Sequence, residues 1–142
     1  MVEKNKKQKI IKMTWSELEY AIDKLAKNIL FEVEQNDLKI GLLAGIPRGG
    51  FIIATMLSHK IKKYTGLSPI VWSSKELDHG NINSTIVCDD IADTGKTLSK
   101  YINFKLATIH YCKKSKIQPE FWAIEKKEDE WIQYPWENND EN

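Results

Sequence analysis

Thr85-Ile86-Val87-Cys88-Asp89-Asp90-Ile91-Ala92-Asp93-Thr94-Gly95-Lys96-Thr97-Leu98 is the stretch from which the rest of this 142-residue chain can be read. Thr85 to Cys88, β-branched and small apolar, predict a short buried strand, and two adjacent carboxylates stand where that strand should end. Asp93 to Thr97 is small, hydroxylated and centred on a glycine. Leu98, Tyr101 and Ile102 follow at helical spacing, so the unit reads as strand, tight loop, helix.

Each part of that unit has a chemical consequence. Gly95 lets the backbone approach a ligand closely, the first amides of a helix lack partners within it, and Thr94 and Thr97 add hydroxyls, a set that suits a phosphate monoester. Asp89 and Asp90 would repel that phosphate. They suit another group, either the vicinal hydroxyls of a sugar or a Mg2+ ion. A ribose 5-phosphate satisfies both halves of the loop. Gly95-Lys96-Thr97 imitates the end of a nucleotide-binding P-loop, but that loop needs a glycine five positions earlier, where Asp90 stands, and is excluded. Taken singly, Asp89 and Asp90 are ordinary strand-end carboxylates and Asp93 an ordinary helix cap; it is the whole pattern in register that argues for a site.

The segment resembles the phosphoribosyl-diphosphate (PRPP) motif of the type I phosphoribosyltransferases: apolar residues, two acidic residues, two variable ones, then Asp-Thr-Gly-x-Thr. The resemblance implies that Asp93, Thr94, Gly95, Lys96 and Thr97 hold the 5-phosphate. Asp89 and Asp90 hold the ribose hydroxyls, directly or through Mg2+, with Asp90 as metal ligand and Asp89 as a second candidate. Asp93 is the expected catalytic residue, taking or holding the proton of purine N7.

A second strand, glycine loop and helix precede this one. Lys39 to Ala44 reads as a buried strand running into Gly45-Ile46-Pro47-Arg48-Gly49-Gly50, and a helix is predicted over 51–64. Glycine loops alone are weak signals, but this one places amides and a guanidinium at a helix start, as an anion site requires. Arg48 is the single arginine of the chain, and its planar fork suits pyrophosphate. The loop resembles the pyrophosphate loop of purine phosphoribosyltransferases. By that resemblance Pro47, Arg48 and Gly49 hold pyrophosphate, and the Pro47–Arg48 peptide is expected to be cis.

The carboxyl-terminal third resembles the bacterial and archaeal xanthine-guanine or hypoxanthine enzymes through Tyr-Cys-Lys-Lys, a strand of the Glu-Phe-Trp-Ala-Ile kind and Trp-Ile-Gln-Tyr-Pro-Trp-Glu. This implies that Lys113 bonds the purine 6-oxo group, with Lys114 as the alternative one register away. It also implies that Trp131 stacks on the base and that the backbone of Ile132 reads its edge. Trp136 reads as core. The expected flap, Ser74 to Asn83, is short for the family, and His79 within it reads as a solvated loop histidine.

The remaining chain supplies scaffold. Lys9 to Met13 reads as a short edge strand, and Thr14 with Glu17 forms a capping-box pattern. Leu18, Ile22, Leu25, Ile29, Leu30 and Val33 then mark the apolar stripe of a helix, with Trp15 as a packing residue at its start. Pro69 to Ser73, Ala107 to Cys112 and Glu120 to Ile124 read as further strands. The expected fold is α/β, the three-layer type I phosphoribosyltransferase fold: a central, mostly parallel sheet flanked by helices, a small carboxyl-terminal hood over the base, and a shortened flap. One domain is expected over 9–137, between a frayed tail at 1–8 and a polar tail at 138–142.

Composition limits the function. A net charge of +1 offers no field for nucleic acid, and no apolar run approaches the ~20 residues that cross a bilayer. Cys88 and Cys112 lie in apolar runs without metal-ligand spacing and read as buried thiols. The expectation is a cytoplasmic enzyme using Mg2+, PRPP and a purine base, assembled as a dimer or tetramer. The expected reaction is transfer of the phosphoribosyl group to N9 of xanthine, guanine or hypoxanthine. Action on another base, or PRPP sensing without catalysis, are the alternatives.

Overall fold

A computed structural model of the chain describes residues 8–137; the expected tails at its two ends, apart from Gln8, lie outside the described residues. Five strands form one parallel sheet in the order β3-β2-β4-β5-β6: β2 (Leu42–Gly45), β3 (Ile70–Ser73), β4 (Thr85–Ala92), β5 (Lys105–Cys112) and β6 (Phe121–Lys126). The sheet is flanked by helices, as the sequence predicts. Alternation along the strands explains why: Leu43, Ile86, Ala107 and Ile109 enter one apolar cluster, while Ala44, Val87 and Leu106 enter another. A sheet buried on both faces must be covered on both.

Helices α1 (Trp15–Asn36) and α2 (Gly49–Thr65) supply the first cover, burying Leu18, Ile22, Leu25, Ile29, Ile53, Leu57 and Ile61. The capping box is formed: Glu17 N donates to Thr14 Oγ1 at 3.1 Å and Thr14 N to Glu17 Oε1 at 2.9 Å. Helix α2 stops at Gly66, whose φ of +81° only glycine adopts without strain.

The second cover differs from the expectation. The helix predicted after Thr97 is a 3₁₀ turn, Leu98–Tyr101, and the flap segment contains two more, Ser74–Glu76 and His79–Ser84. Leu77 and Ile82 pack with Leu98, Tyr101 and Phe104 on the second cluster, and Ser74 Oγ lies 3.1 Å from Tyr101 Oη. The short flap is therefore tied to the sheet rather than hanging from it.

Two further strands lie apart from the sheet. β1 (Lys9–Lys12) pairs in parallel with β7 (Glu130–Gln133), Ile10 opposite Trp131 and Ile11 opposite Ile132. The predicted edge strand thus belongs to a separate two-stranded ribbon, joining the beginning of the described chain to its end.

Candidate active site

Strand β4 runs four residues further than its apolar start predicts. β2 ends at Gly45 opposite Cys88, whereas β4 continues beside β5 through Asp89, opposite Thr108, to Ala92, opposite Tyr111. The carboxylates therefore stand within β4, past the end of its neighbour β2, on the carboxyl rim where open α/β sheets take ligands. Asp90 N donates to Asp89 Oδ1 at 2.9 Å. Burial, and then the charge of Asp90, push the Asp89 carboxyl well above the usual carboxylate range; burial also raises Asp90. Among the described residues no cation forms an ion pair with either. Half-buried acid beside acid is an arrangement that calls for a cation or hydroxyl donors.

The loop after β4 turns at Gly95, φ +87°, where a side chain would be strained and a Cβ would come within 2.9 Å of Ile117 N and 3.0 Å of Ser115 Oγ. Lys116 N donates to Thr94 O at 3.0 Å, so the loop is clamped to the segment after β5. Thr94 Oγ1 accepts from Lys96 N at 3.2 Å. Between this loop and the acid pair lies a cleft of about 210 Å³ lined by Asp89, Asp90, Ile91 and residues 93–98. All of the residues expected to meet the ribose 5-phosphate line that one cleft.

The second loop reaches the same rim. The Pro47–Arg48 peptide is cis, and Ile46 N donates to Cys88 O at 3.0 Å. Helix α2 begins directly against β4: a Cβ on Gly50 would strike Cys88 O, and one on Gly49 would meet Asp90 Oδ2 at 2.5 Å and Trp136 Cζ2 at 3.1 Å. Glycine at 50 is required for this approach, because the atom it would strike is backbone. Arg48 is exposed at the helix start and makes no capping bond with its side chain. Gly49 thus adjoins Asp90, with Pro47 and Arg48 directly before it in the loop.

At the expected base end the two lysines part. Lys113, with its side chain 77% exposed, pairs with Glu125 at 3.7 Å, whereas Lys114 Nζ lies 3.7 Å from Asp93 Oδ1. A third lysine, which sequence reasoning missed, is closer still. Lys126, at the end of β6 and 3% exposed, places Nζ 3.3 Å from the same Asp93 oxygen and 3.0 Å from Lys127 O. Its only signal in the sequence was a place in the mixed run Glu125-Lys126-Lys127-Glu128, which looks like a solvated stretch. Trp131 is 55% exposed on β7, and Ile132 is buried in the main core.

Tyr134 ties this end to the acid pair. Its hydroxyl donates to Asp90 O at 3.1 Å and lies 2.7 Å from His110 Nδ1. A carbonyl can only accept, so the hydroxyl proton goes to Asp90 O and neutral His110 carries its own proton on Nδ1. Burial drives the His110 pKa down to about 4 and raises that of Tyr134. The Tyr134 ring stacks on Trp136, centroids 5.1 Å apart and planes within 5°, and Trp136 in turn meets Trp15 at 6.3 Å. Tyr134 is buried in the main core, Trp136, read as core, is partly buried against it, and Trp15 is 54% exposed. Cys88 and Cys112 are buried free thiols.

The parallel sheet, the acid pair past the end of β2 and the glycine loops on either side define the type I phosphoribosyltransferase fold. Among solved structures the chain is similar to the purine phosphoribosyltransferase of Pyrococcus horikoshii, at 23% identity and a TM-score of 0.71, covering 94% of this chain and 97% of that one. It is similar also to a hypothetical protein of Neisseria gonorrhoeae with bound ppGpp (20%, TM-score 0.71, 94% and 92%). A third likeness is to the hypoxanthine-guanine phosphoribosyltransferase of Schistosoma mansoni in complex with IMP (20%, TM-score 0.66, 81% and 67%). No family model and no curated protein matches the sequence. No helix among the described residues is long and apolar enough to cross a membrane.

Proposed function

We propose that this chain is a purine phosphoribosyltransferase, moving the phosphoribosyl group of PRPP to N9 of a 6-oxopurine with release of pyrophosphate, a purine-salvage reaction. The observation that carries the reading is the meeting of two loops: Gly49 of the Arg48 loop touches Asp90, and Asp90 lines the cleft closed by Asp93 to Thr97. In the reaction the bond from the anomeric carbon to pyrophosphate oxygen breaks and one to N9 forms. Positive charge grows on the ribose while negative charge leaves on pyrophosphate. Residues 93–97 hold the 5-phosphate, Asp89 and Asp90 the ribose hydroxyls, and Arg48 with the amides of its loop the departing group. Asp93 takes or holds the proton at N7.

The base end follows the same logic. Lys114, whose ammonium reaches Asp93, takes the 6-oxo role that the resemblance gave to Lys113. Trp131 offers an open indole face for stacking, and the backbone beside it at Ile132 reads the ring edge. The IMP held by the schistosome neighbour is the product expected from hypoxanthine.

The acid pair fits a divalent ion, since two raised, unpaired carboxylates at the cleft supply the one or two protein ligands that Mg2+ takes when substrate oxygens complete its shell. No cluster of three or more acidic, histidine or cysteine ligands forms a closed cage among the described residues. Bound there, Mg2+ would neutralise phosphate charge.

Pyrophosphate release from PRPP and Mg2+ with a panel of bases tests the reading. Turnover with xanthine, guanine or hypoxanthine is expected, and turnover only with another base would move the acceptor. The neighbour holding ppGpp favours a second reading, nucleotide or PRPP sensing on the same fold. PRPP binding without release of pyrophosphate for any base would establish that second reading instead.

A further inference from the structure

A buried ammonium needs a reason, because removing a lysine head group from water is costly unless it is paired. Lys126 is 3% exposed at the tip of edge strand β6, opposite Cys112, and its Nζ has two oxygens near it, Lys127 O at 3.0 Å and Asp93 Oδ1 at 3.3 Å. Asp93 Oδ1 is itself fully occluded. It meets Lys126 and Lys114 as charge contacts without an aligned hydrogen bond. The Asp93 side chain as a whole is nonetheless 32% exposed and lines the cleft, so its open surface belongs to the other atoms, leaving Oδ2 as the oxygen available to a ligand.

We propose that Lys126 is a positioning residue: from the end of β6 it holds the inner oxygen of Asp93 and so aims the outer oxygen at the acceptor base. The proposal rests on the phosphoribosyltransferase reading of the cleft. It assigns the two ammoniums different work. Lys114 is 40% exposed and free to turn toward a ligand, whereas Lys126 is fixed by its burial and by Lys127 O. Misaiming a reacting group costs rate without loosening a substrate held by other residues.

The test is steady-state kinetics on the full chain with Lys126→Met, Lys126→Arg and Asp93→Asn, and with Lys126→Met combined with Asp93→Asn. Lys126→Met is expected to lower kcat by about tenfold or more while the KM for PRPP stays within about threefold. Lys126→Arg restores part of kcat. In the Asp93→Asn background Lys126→Met changes little, since a residue acting through Asp93 has nothing left to aim. A kcat for Lys126→Met within about twofold of wild type, or the same loss in both backgrounds, overturns the proposal while leaving the activity standing. Should Lys126→Met lack a cooperative melt, Lys126→Gln is read by the same criteria. If the unaltered protein releases no pyrophosphate with any base, the functional reading fails. The aiming is then read from crystals of the unliganded proteins: an Asp93 carboxylate turned from its place in Lys126→Met supports it, and an unmoved one overturns it.

Discussion

Asp93 opens the glycine turn after β4, lines the cleft and meets two ammoniums at once, and the proposed reaction puts the proton transfer there. Asp93→Asn keeps the shape of the side chain and removes its capacity to take a proton. The expected result is a fall in kcat of about 10²-fold or more, with PRPP affinity by calorimetry changed far less; equal losses would make Asp93 only a shaper of the loop. The lysines give a second prediction. An exposed ion pair such as Lys113–Glu125 contributes ~0–1 kcal/mol, so Lys113→Ala leaves the KM for the base within about threefold. Lys114→Ala removes a charged hydrogen-bond donor from the base end and raises that KM by about tenfold or more. The gathering of Asp89, Asp90 and Asp93 to Thr97 round one cleft was legible in the sequence because one strand and one turn carry them all. Which of two adjacent lysines reaches Asp93 was not legible, since both sit inside the turn closed by Ser115 N donating to Cys112 O, and residue type does not say how that turn aims them. Lys126 was hidden for another reason: its burial depends on a partner 33 residues earlier in the chain.

Elements deliver these residues, and their lengths are set by geometry more than by propensity. The crossover from β4 to β5 has only residues 93–104 in which to travel back from Ala92 to the neighbour of Ile86, a distance of roughly 20 Å at ~3.3 Å per strand residue. An α-helix rising 1.5 Å per residue would need about 13 residues for that span before any turn was made. The chain therefore uses a 3₁₀ turn set between bends and turns, although Leu98, Tyr101 and Ile102 keep a helical period. Local pattern placed Leu98 and Tyr101 on the second core cluster correctly, but the winding is not α-helical and Ile102, 62% exposed, lies outside that cluster. The start of α2 shows the opposite case, in which the glycines of the loop were readable and the reason for them was not. Gly50→Ala would drive a methyl into Cys88 O, moving α2 off β4; a destabilisation of about 1–3 kcal/mol in chemical denaturation is expected, along with weaker pyrophosphate binding. Thr14→Ala, which breaks the capping box of α1 far from the cleft, costs about 1 kcal/mol and leaves kcat unchanged.

At the scale of the whole molecule, the β1–β7 ribbon and the five-stranded sheet are joined through the bonds of Tyr134 to His110 on β5 and to Asp90 on β4. His110 sets a pH dependence for that join. Its folded pKa of about 4 lies below the ordinary 6.5, so the unfolded chain binds the extra proton first. Its contribution is complete above pH 6.5 and is lost as pH falls toward 4, by up to roughly 3 kcal/mol. Asp89, raised to about 8 by burial and by Asp90, acts in the opposite sense and favours the fold as pH falls. The His110 part is therefore read as a difference: in denaturant melts at pH 7, 5.5 and 4, His110→Gln is expected to gain on the unaltered protein as pH falls. The ribbon has a further consequence, for the order in which a newly made chain takes shape. Lys9–Lys12 is made before every strand of the sheet, whereas its mate, Glu130–Gln133, is made after them all. The cleft of residues 89–98 can therefore settle during synthesis, while the ribbon that carries Trp131 must wait until translation has passed Gln133.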